Sequence, residues 1–223
     1  MEGDIRCILD AFPGCGGKMK KVIIGLIALL ATSTASAFEF EGSIGGVSNY
    51  VWRGATQSAG NPAIQGSIGI EHGGLYANAW GSQVDYDDDT KAEVDITAGY
   101  SNNIKKLSYD VGYIRYSYIG DEVDFGEDAQ EIYFGLALGP ISGTIYRDID
   151  NDSNYYAGAL AVNEIVELPI DISGFVGRNA DSNMDAGVTI SKSIKGFDVG
   201  YTYTWSEEDI EDSTHSVGIF YTF

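Results

Sequence analysis

The chain has few of the residues that cross-link or interrupt a folded domain. Only two of its 223 residues are cysteine, Cys7 and Cys15, and both lie within the first 37. The remainder can therefore form no disulfide bond, thiolate metal site or catalytic cysteine. Proline is also scarce, at four residues, and no apolar run approaches the roughly 20 residues that cross a bilayer as a helix. These shortages exclude a disulfide-stabilised domain and an α-helical membrane protein.

Basic residues are scarce as well. The chain has 13 Lys and Arg against 33 Asp and Glu, which gives a formal net charge of -20. Proteins that bind nucleic acid use Lys and Arg to displace counterions from the phosphates. We therefore exclude nucleic acid as a partner.

Residues 1–37 contain the three parts of a secretory signal peptide. Lysines at 18–21 precede an apolar run at 22–31 and a small Ala-Ser-Ala exit. We expect cleavage after this exit, which leaves one domain at 38–223. The segment before the lysines matches no part of a signal, so either translation starts at Met19 or a short tag precedes the signal.

Beyond the signal, apolar residues alternate with small or polar ones. From Ala92 to Tyr100 every second residue is apolar, and Glu93 and Asp95 occupy intervening positions. A period of two is that of a β-strand with one apolar face. The same pattern defines twelve predicted strands, near residues 40–52, 63–72, 75–84, 91–100, 107–117, 130–138, 141–148, 155–163, 168–177, 184–193, 197–205 and 214–223.

An even number of strands with an apolar face, rich in aromatics at its ends, and a small polar face is typical of a transmembrane β-barrel. We predict an all-β, antiparallel up-and-down barrel of about twelve strands. A different pairing across 155–172 would reduce the number to ten. A soluble β-sandwich is the alternative, but the polar face has few long Lys or Glu side chains and the chain lacks bulk for a core between two sheets.

The connections support the barrel. Counted from a periplasmic N-terminus, the odd connections are long and acidic, such as DYDDDT and GDEVDFGEDA. The even ones are shorter on average and carry Lys105, Lys106 and Lys195. Bacterial barrels have long extracellular loops and short periplasmic turns. The predicted location is the outer membrane of a Gram-negative bacterium.

The last predicted strand has an apolar face that ends in Tyr221 and Phe223. A terminal aromatic residue after alternating apolar residues resembles the C-terminal signal of bacterial outer-membrane barrels. We predict that Tyr221 and Phe223 are recognised by the barrel assembly machinery.

The segment from Gly46 to Tyr86 is similar to the TorF family of proposed porins, proteobacterial proteins of unknown function. The matching pieces include NYVWRG at 49–54, PAIQG at 62–66 and GLYA at 74–77. The match covers about the first half of the domain and is generic afterwards. The resemblance implies an outer-membrane barrel that is called a porin chiefly by shape, with no established substrate.

Strand alternation assigns one charged set to the inner face of such a barrel. It includes Glu93, Asp95, Asp110, Glu131, Asp171, Asp185, Asp198 and the base Arg53. Because a ring of carboxylates in a narrow aqueous bore attracts cations, we predict passive diffusion of small neutral or cationic solutes. In the alternative, these acids pair with Arg53 and with tyrosine hydroxyls across a closed interior, and the barrel is structural or presents its acidic loops.

Three arginines occupy strand positions on the predicted outer, lipid-facing side of the barrel. Arg115, Arg147 and Arg178 fall near the predicted outer ends of strands and share parity with lipid-facing residues. Guanidinium groups there are predicted to pair with the phosphates of lipopolysaccharide. A local bulge that turns them into the lumen is the alternative. The sequence does not indicate an oligomeric state.

Neither metal binding nor catalysis is predicted. The alternate-residue spacing that begins a calcium-binding loop is present at Asp148, Asp150, Asp152 and Asn154. However, Ser153 stands where the loop requires glycine, and Ala159 stands where it requires the closing glutamate. The two histidines, His72 and His215, cannot be paired by spacing with a serine. A surface pair such as Asp212 with His215 is the remaining arrangement. We therefore predict no enzyme, no metal and no cofactor.

Overall fold

The computed structural model describes residues 37–120, 129–207 and 213–223. The predicted signal peptide thus lies almost wholly outside the described residues. In the described part of the chain, twelve antiparallel strands close into one barrel, as predicted, and two short strands form a separate hairpin. In chain order the strands are β1 (Glu39–Val47), β2 (Val51–Trp52), β3 (Ala55–Thr56), β4 (Ala63–His72), β5 (Leu75–Gln83), β6 (Ala92–Ile104), β7 (Leu107–Ile119), β8 (Ala129–Leu138), β9 (Ile141–Asp148), β10 (Ser153–Ala161), β11 (Asp171–Arg178), β12 (Met184–Ile194), β13 (Phe197–Ser206) and β14 (Thr214–Thr222).

The period of two in the sequence becomes an outer and an inner face. On β8 the outward Ile132 and Phe134 are almost half exposed, whereas the inward Glu131 and Tyr133 are buried. Every barrel strand continues this pattern of exposed apolar residues outside and polar or aromatic residues inside. A single closed sheet with an apolar exterior is the arrangement of a transmembrane barrel, not of a β-sandwich.

The barrel closes between β1 and β14. These strands pair from Ser43 with Thr222 to Val47 with Gly218. Beyond the ladder, the backbone N–H groups of Gly42 and Phe223 each donate to the other residue's carbonyl oxygen at 2.9 Å. Closure leaves no exposed edge in the barrel, so each of its twelve strands has two neighbours.

The two ends of the barrel differ. One end, here the turn end, has two-residue turns at 73–74, 105–106, 139–140 and 195–196. Gly73 and Gly74 both have positive φ, at +59° and +89°, as a type I′ hairpin turn requires. The turn end also holds the nine-residue connection between β10 and β11, whereas the other end, here the loop end, holds acidic connections such as 84–91 and 149–152. Two of the turns are shorter than the predicted connections, because β6 and β12 continue to Ile104 and Ile194.

The connection between β10 and β11 decides between ten and twelve strands. It contains a short 3-10 helix at Val162–Glu164. The two strands nevertheless pair directly, with Ala157 opposite Gly177, which gives twelve. Among the described residues, no helix has the length and apolar character to cross a membrane.

The predicted first strand at 40–52 is wrong at its C-terminal end. β1 leaves the sheet after Val47, and residues 48–62, the lumen hairpin, fold into the barrel around β2 and β3. Local polar contacts explain the departure. The Asn49 Oδ1 atom accepts hydrogen bonds from the hydroxyls of Thr56 and Ser58 at 2.6 and 3.2 Å, and the Ser58 hydroxyl accepts one from the Tyr50 backbone N–H.

Candidate functional site

The lumen hairpin crosses the interior near the loop end. On one side, Tyr50 packs edge-on against Trp80 of β5, with ring centroids 5.4 Å apart. Trp52 packs in the same way against Tyr116 of β7, at 5.8 Å. On the opposite side, a Cβ atom at Gly54 would be 2.7 Å from the Ser206 Cβ atom of β13. The hairpin therefore spans the bore from β5–β7 to β13.

Arg53, at the tip of this hairpin, is held by one carboxylate and three rings. Its two terminal nitrogens each donate to one oxygen of Glu131 at 2.7 Å. Its guanidinium carbon lies 4.2, 4.9 and 4.1 Å from the ring centroids of Trp52, Tyr146 and Tyr155. A planar guanidinium suits both a bidentate carboxylate and aromatic faces. Within the described strands and hairpin, Arg53 is the only base on the inner face.

Three of the other buried acids on the inner face, Asp110, Asp185 and Glu93, contact tyrosine hydroxyls. Tyr76 donates to Asp110 at 2.7 Å, and Tyr155 donates to Asp185 at 2.7 Å. Glu131 receives a third hydrogen bond, from Tyr116 at 2.9 Å, while Glu93 accepts hydrogen bonds from Tyr50 and Tyr118. Alternation predicted an inward position for these acids, and in the structure Glu93, Asp95, Asp110, Glu131 and Asp185 are each at most 5% exposed.

Two of the predicted inward acids lie at the turn end and are only partly buried. Asp171 accepts a hydrogen bond from the Asn163 side chain at 3.0 Å, and Asp198 accepts one from the Ser193 hydroxyl. They are separate from the loop-end group around Arg53. The predicted ring of acids is therefore divided between two levels of the barrel.

Inward aromatic residues lie flat on glycines of the neighbouring strand. Direct cross-strand partners of this kind are Tyr76 with Gly99, Tyr133 with Gly112, Phe175 with Gly187 and Phe220 with Gly45. A Cβ atom at any of the four glycines would lie within 2.4 Å of an atom of its partner residue or the adjacent backbone. Glycine thus provides room for each ring against the wall. Strand alternation predicted that these aromatic side chains point inward. It did not predict which glycine each ring contacts, because that depends on the register between neighbouring strands.

Part of the interior remains accessible to water. The inward Ser173, Thr189 and Thr202 on β11–β13 are partly exposed, although they point into the barrel. The hydroxyls of Thr189 and Thr202 hydrogen-bond across their strands at 2.9 Å. This small hydroxylated wall is a polar surface beside the aromatic side of the lumen.

The three arginines predicted on the lipid side point outward. The strand registers continue without interruption through Arg115, Arg147 and Arg178, so no bulge turns them inward. Arg115 and Arg178 are exposed, and Arg178 donates to the Ser182 hydroxyl at 2.8 Å. Arg147 forms an ion pair with Asp152 and donates to its carbonyl oxygen.

The acidic loops are organised by their own backbone. Asp148 Oδ1 accepts the backbone N–H groups of Asp150 and Asn151, both at 2.9 Å. In the loop after β5, the backbone N–H and hydroxyl of Thr90 hold the pKa of Asp88 below its usual value. Among the described residues, no group of three or more His, Cys, Asp or Glu side chains has the geometry to hold a metal ion.

The two histidines lie on the outer face. His72 stacks on Phe38, with ring centroids 4.5 Å apart, and His215 Nδ1 lies 2.6 Å from the Tyr201 hydroxyl. Asp212, named above as a partner for His215, lies outside the described residues. Neither histidine shares a site with the buried acids of the lumen.

The barrel is similar to solved porin structures. The KdgM porin, and the KdgM porin in complex with disordered oligogalacturonate, each align with a TM-score of 0.57 and 10% sequence identity, over 83% of this chain and 99% of the porin. At this identity the likeness shows the fold. No curated protein matches the chain. A family model matches residues 31–222, and the chain therefore belongs to the family described as bacterial protein of unknown function (Gcw_chp).

Proposed function

We propose that this barrel is an outer-membrane porin that passes small neutral or cationic solutes. Its loop end would be extracellular, because that end carries the long acidic connections. The observation that carries the proposal is the charge of the inner face. Five carboxylates are buried there, at Glu93, Asp95, Asp110, Glu131 and Asp185, and Arg53 pairs with one of them.

The unequal charge favours cations for an electrostatic reason. Carboxylates on a low-dielectric wall concentrate negative potential in a narrow bore, which raises the local concentration of cations and lowers that of anions. The bidentate contact of Arg53 neutralises one of the five acids, Glu131. Oligogalacturonate carries a carboxylate on each sugar, and an acidic lumen would repel it. We therefore do not propose the ligand of KdgM as a solute of this barrel.

The lumen hairpin sets the size of solute. It spans the bore at the loop end, so only small molecules would pass beside it, along the partly exposed Ser173, Thr189 and Thr202 of β11–β13. The same hairpin favours the second candidate, a closed barrel that presents its acidic loops.

Osmotic swelling of liposomes distinguishes the two candidates. Liposomes that contain the refolded domain should swell rapidly in glycine amide or a small neutral sugar and slowly in a divalent organic anion. Liposomes without protein provide the background rate. Swelling at the background rate in every solute, with a folded barrel, would reject the porin and favour the closed barrel.

We further propose two sets of partners for the barrel. The outward Arg115 and Arg178 would contact the phosphates of lipopolysaccharide at the loop end, while Arg147 is engaged mainly by Asp152. The barrel assembly machinery would recognise the outward aromatics of β14, Tyr221 and Phe223. Both proposals depend on the outward placement of these side chains.

A further inference from the structure

Two buried carboxylates lie side by side on β6, next to the lumen hairpin. Glu93 and Asp95 are successive inward residues of one strand, about 7 Å apart along it. Their exposed fractions are 4% and 5%. Glu93 Oε2 and Asp95 Oδ1 are fully buried and have no hydrogen-bond partner among the described residues. Among the described residues, the other buried acids of the inner face, Asp110, Glu131 and Asp185, have no such buried oxygen without a partner.

Among the described residues, no base forms an ion pair with either carboxylate, and Lys91, two residues before Glu93, donates to the Asp88 carbonyl oxygen at 3.2 Å. Arg53 is the only inward base of the described strands and hairpin, and Glu131 occupies both of its terminal nitrogens. Burying a carboxylate without a counter-charge costs several kcal/mol, and two adjacent ones also repel each other. A positive charge between them would remove both costs.

The surrounding groups supply further oxygen atoms. Tyr50 and Tyr118 hydrogen-bond to Glu93, and the nearby Tyr86 hydroxyl donates to Gln57 Oε1 at 2.8 Å. The rings of Tyr86 and Tyr118 pack edge-on at 5.9 Å. All these donors are hard oxygen atoms, which bind Ca²⁺ or Mg²⁺ in preference to softer metals. Ca²⁺ tolerates an irregular set of ligands completed by water, whereas Mg²⁺ requires a near-octahedral one.

We propose that Glu93 and Asp95 form a binding site for one divalent hard cation, with Ca²⁺ as the occupant. The two carboxylates balance its charge, and their unpartnered oxygens are its direct ligands. Because Tyr50 belongs to the lumen hairpin and contacts Glu93, the bound ion also joins the hairpin to the wall. The inference goes beyond the proposed function, since the site would exist in an open or a closed barrel.

Terbium luminescence tests the site directly. Tb³⁺ replaces Ca²⁺ at oxygen sites and is excited through nearby tyrosine and tryptophan, which Tyr50, Tyr118 and Trp80 provide here. The refolded wild-type domain should give sensitised luminescence that Ca²⁺ displaces. In the E93Q/D95N variant the affinity should fall by at least the 10-fold to 100-fold that loss of an outer-shell partner costs.

A matched variant controls for charge and for the acidic loops. E41Q/E71Q removes the same charge from the inner face at the turn end and leaves all the loops intact, so its Tb³⁺ affinity should equal that of the wild type. Heat-modifiable gel mobility identifies the folded barrel in each sample. Should E93Q/D95N fail to fold, the D95N variant alone is measured.

The outcomes separate this site from the proposed porin. Equal Tb³⁺ luminescence and equal Ca²⁺ displacement in the wild type and in folded E93Q/D95N would overturn the site and leave the porin standing. Displaceable luminescence that is lost in E93Q/D95N but kept in E41Q/E71Q would support the site, even if the barrel passes no solute.

Discussion

Arg53 is the residue on which the arrangement of the interior most depends. It joins the tip of the lumen hairpin to β8 through Glu131 and lies against three aromatic rings. Alternation predicted that Arg53 faces inward. It could not identify Glu131, which lies 78 residues later, because a contact at that separation depends on strand register.

Replacing Arg53 by methionine should destabilise the barrel by about 3–5 kcal/mol, because Glu131 then stays buried without its partner. The free energy of unfolding in urea, followed by tryptophan fluorescence in detergent, measures the effect. The double variant R53M/E131Q should regain most of the loss, since no uncompensated charge remains. An R53M barrel as stable as the wild type would show that the ion pair does not hold the hairpin.

Gly112 provides the second residue-scale prediction. A Cβ atom there would lie 2.2 Å from the Tyr133 hydroxyl oxygen and 2.4 Å from its Cζ atom, so G112A should cost about 1–3 kcal/mol through overpacking. G200A is the control, because a Cβ atom at this inward glycine would have its nearest neighbour, the Ser191 Cβ atom, at 3.6 Å. Equal urea midpoints for the two variants would contradict the packing of Tyr133 on Gly112.

The structural elements show where sequence periodicity succeeds and where it does not. The period of two predicted twelve barrel strands and their faces, because one face meets an apolar environment and the other does not. It extended β1 to residue 52, although the chain leaves the sheet after Val47. The hydrogen bonds of Asn49 with Thr56 and Ser58 join side chains 7 and 9 residues apart within the hairpin. The alternation of apolar and polar residues does not predict such contacts.

The joint between β1 and β14 depends on Phe223. Its ring lies over Gly42, where a Cβ atom would be 2.7 Å away, and it stacks against Tyr221 with centroids 6.3 Å apart. F223A should lower the yield of heat-modifiable barrel in vivo, because the closing strands lose this cover and the proposed assembly signal loses its aromatic group. F38A, an outward aromatic at the same end, is the control. A normal yield from F223A would argue against both roles.

The whole molecule has an inner face that is acidic and an outer face that is apolar with basic residues near the loop end. This distribution could be predicted from parity, because each strand crosses the wall once and every side chain has only two directions. The accessible width of the lumen could not be predicted, since it depends on how far the hairpin enters the bore.

The outward arginines give a prediction at this scale. R115Q/R178Q should retain less lipopolysaccharide through purification than the wild type, because two exposed guanidinium groups at the loop end are lost. R147Q should have a smaller effect, since Asp152 already pairs with Arg147. K192Q removes an exposed outward base near the turn end and should change nothing. Equal retention by R115Q/R178Q and K192Q would reject the contact.

The reversal potential of single channels across a potassium chloride gradient tests the cation-preferring lumen most directly. In planar bilayers and chelator-containing buffer, the wild-type domain should give current steps whose reversal potential has the sign for potassium over chloride. E93Q/D95N should move that potential towards zero, because two of the five buried carboxylates are neutralised. A wild-type potential at zero or of the opposite sign would contradict the account.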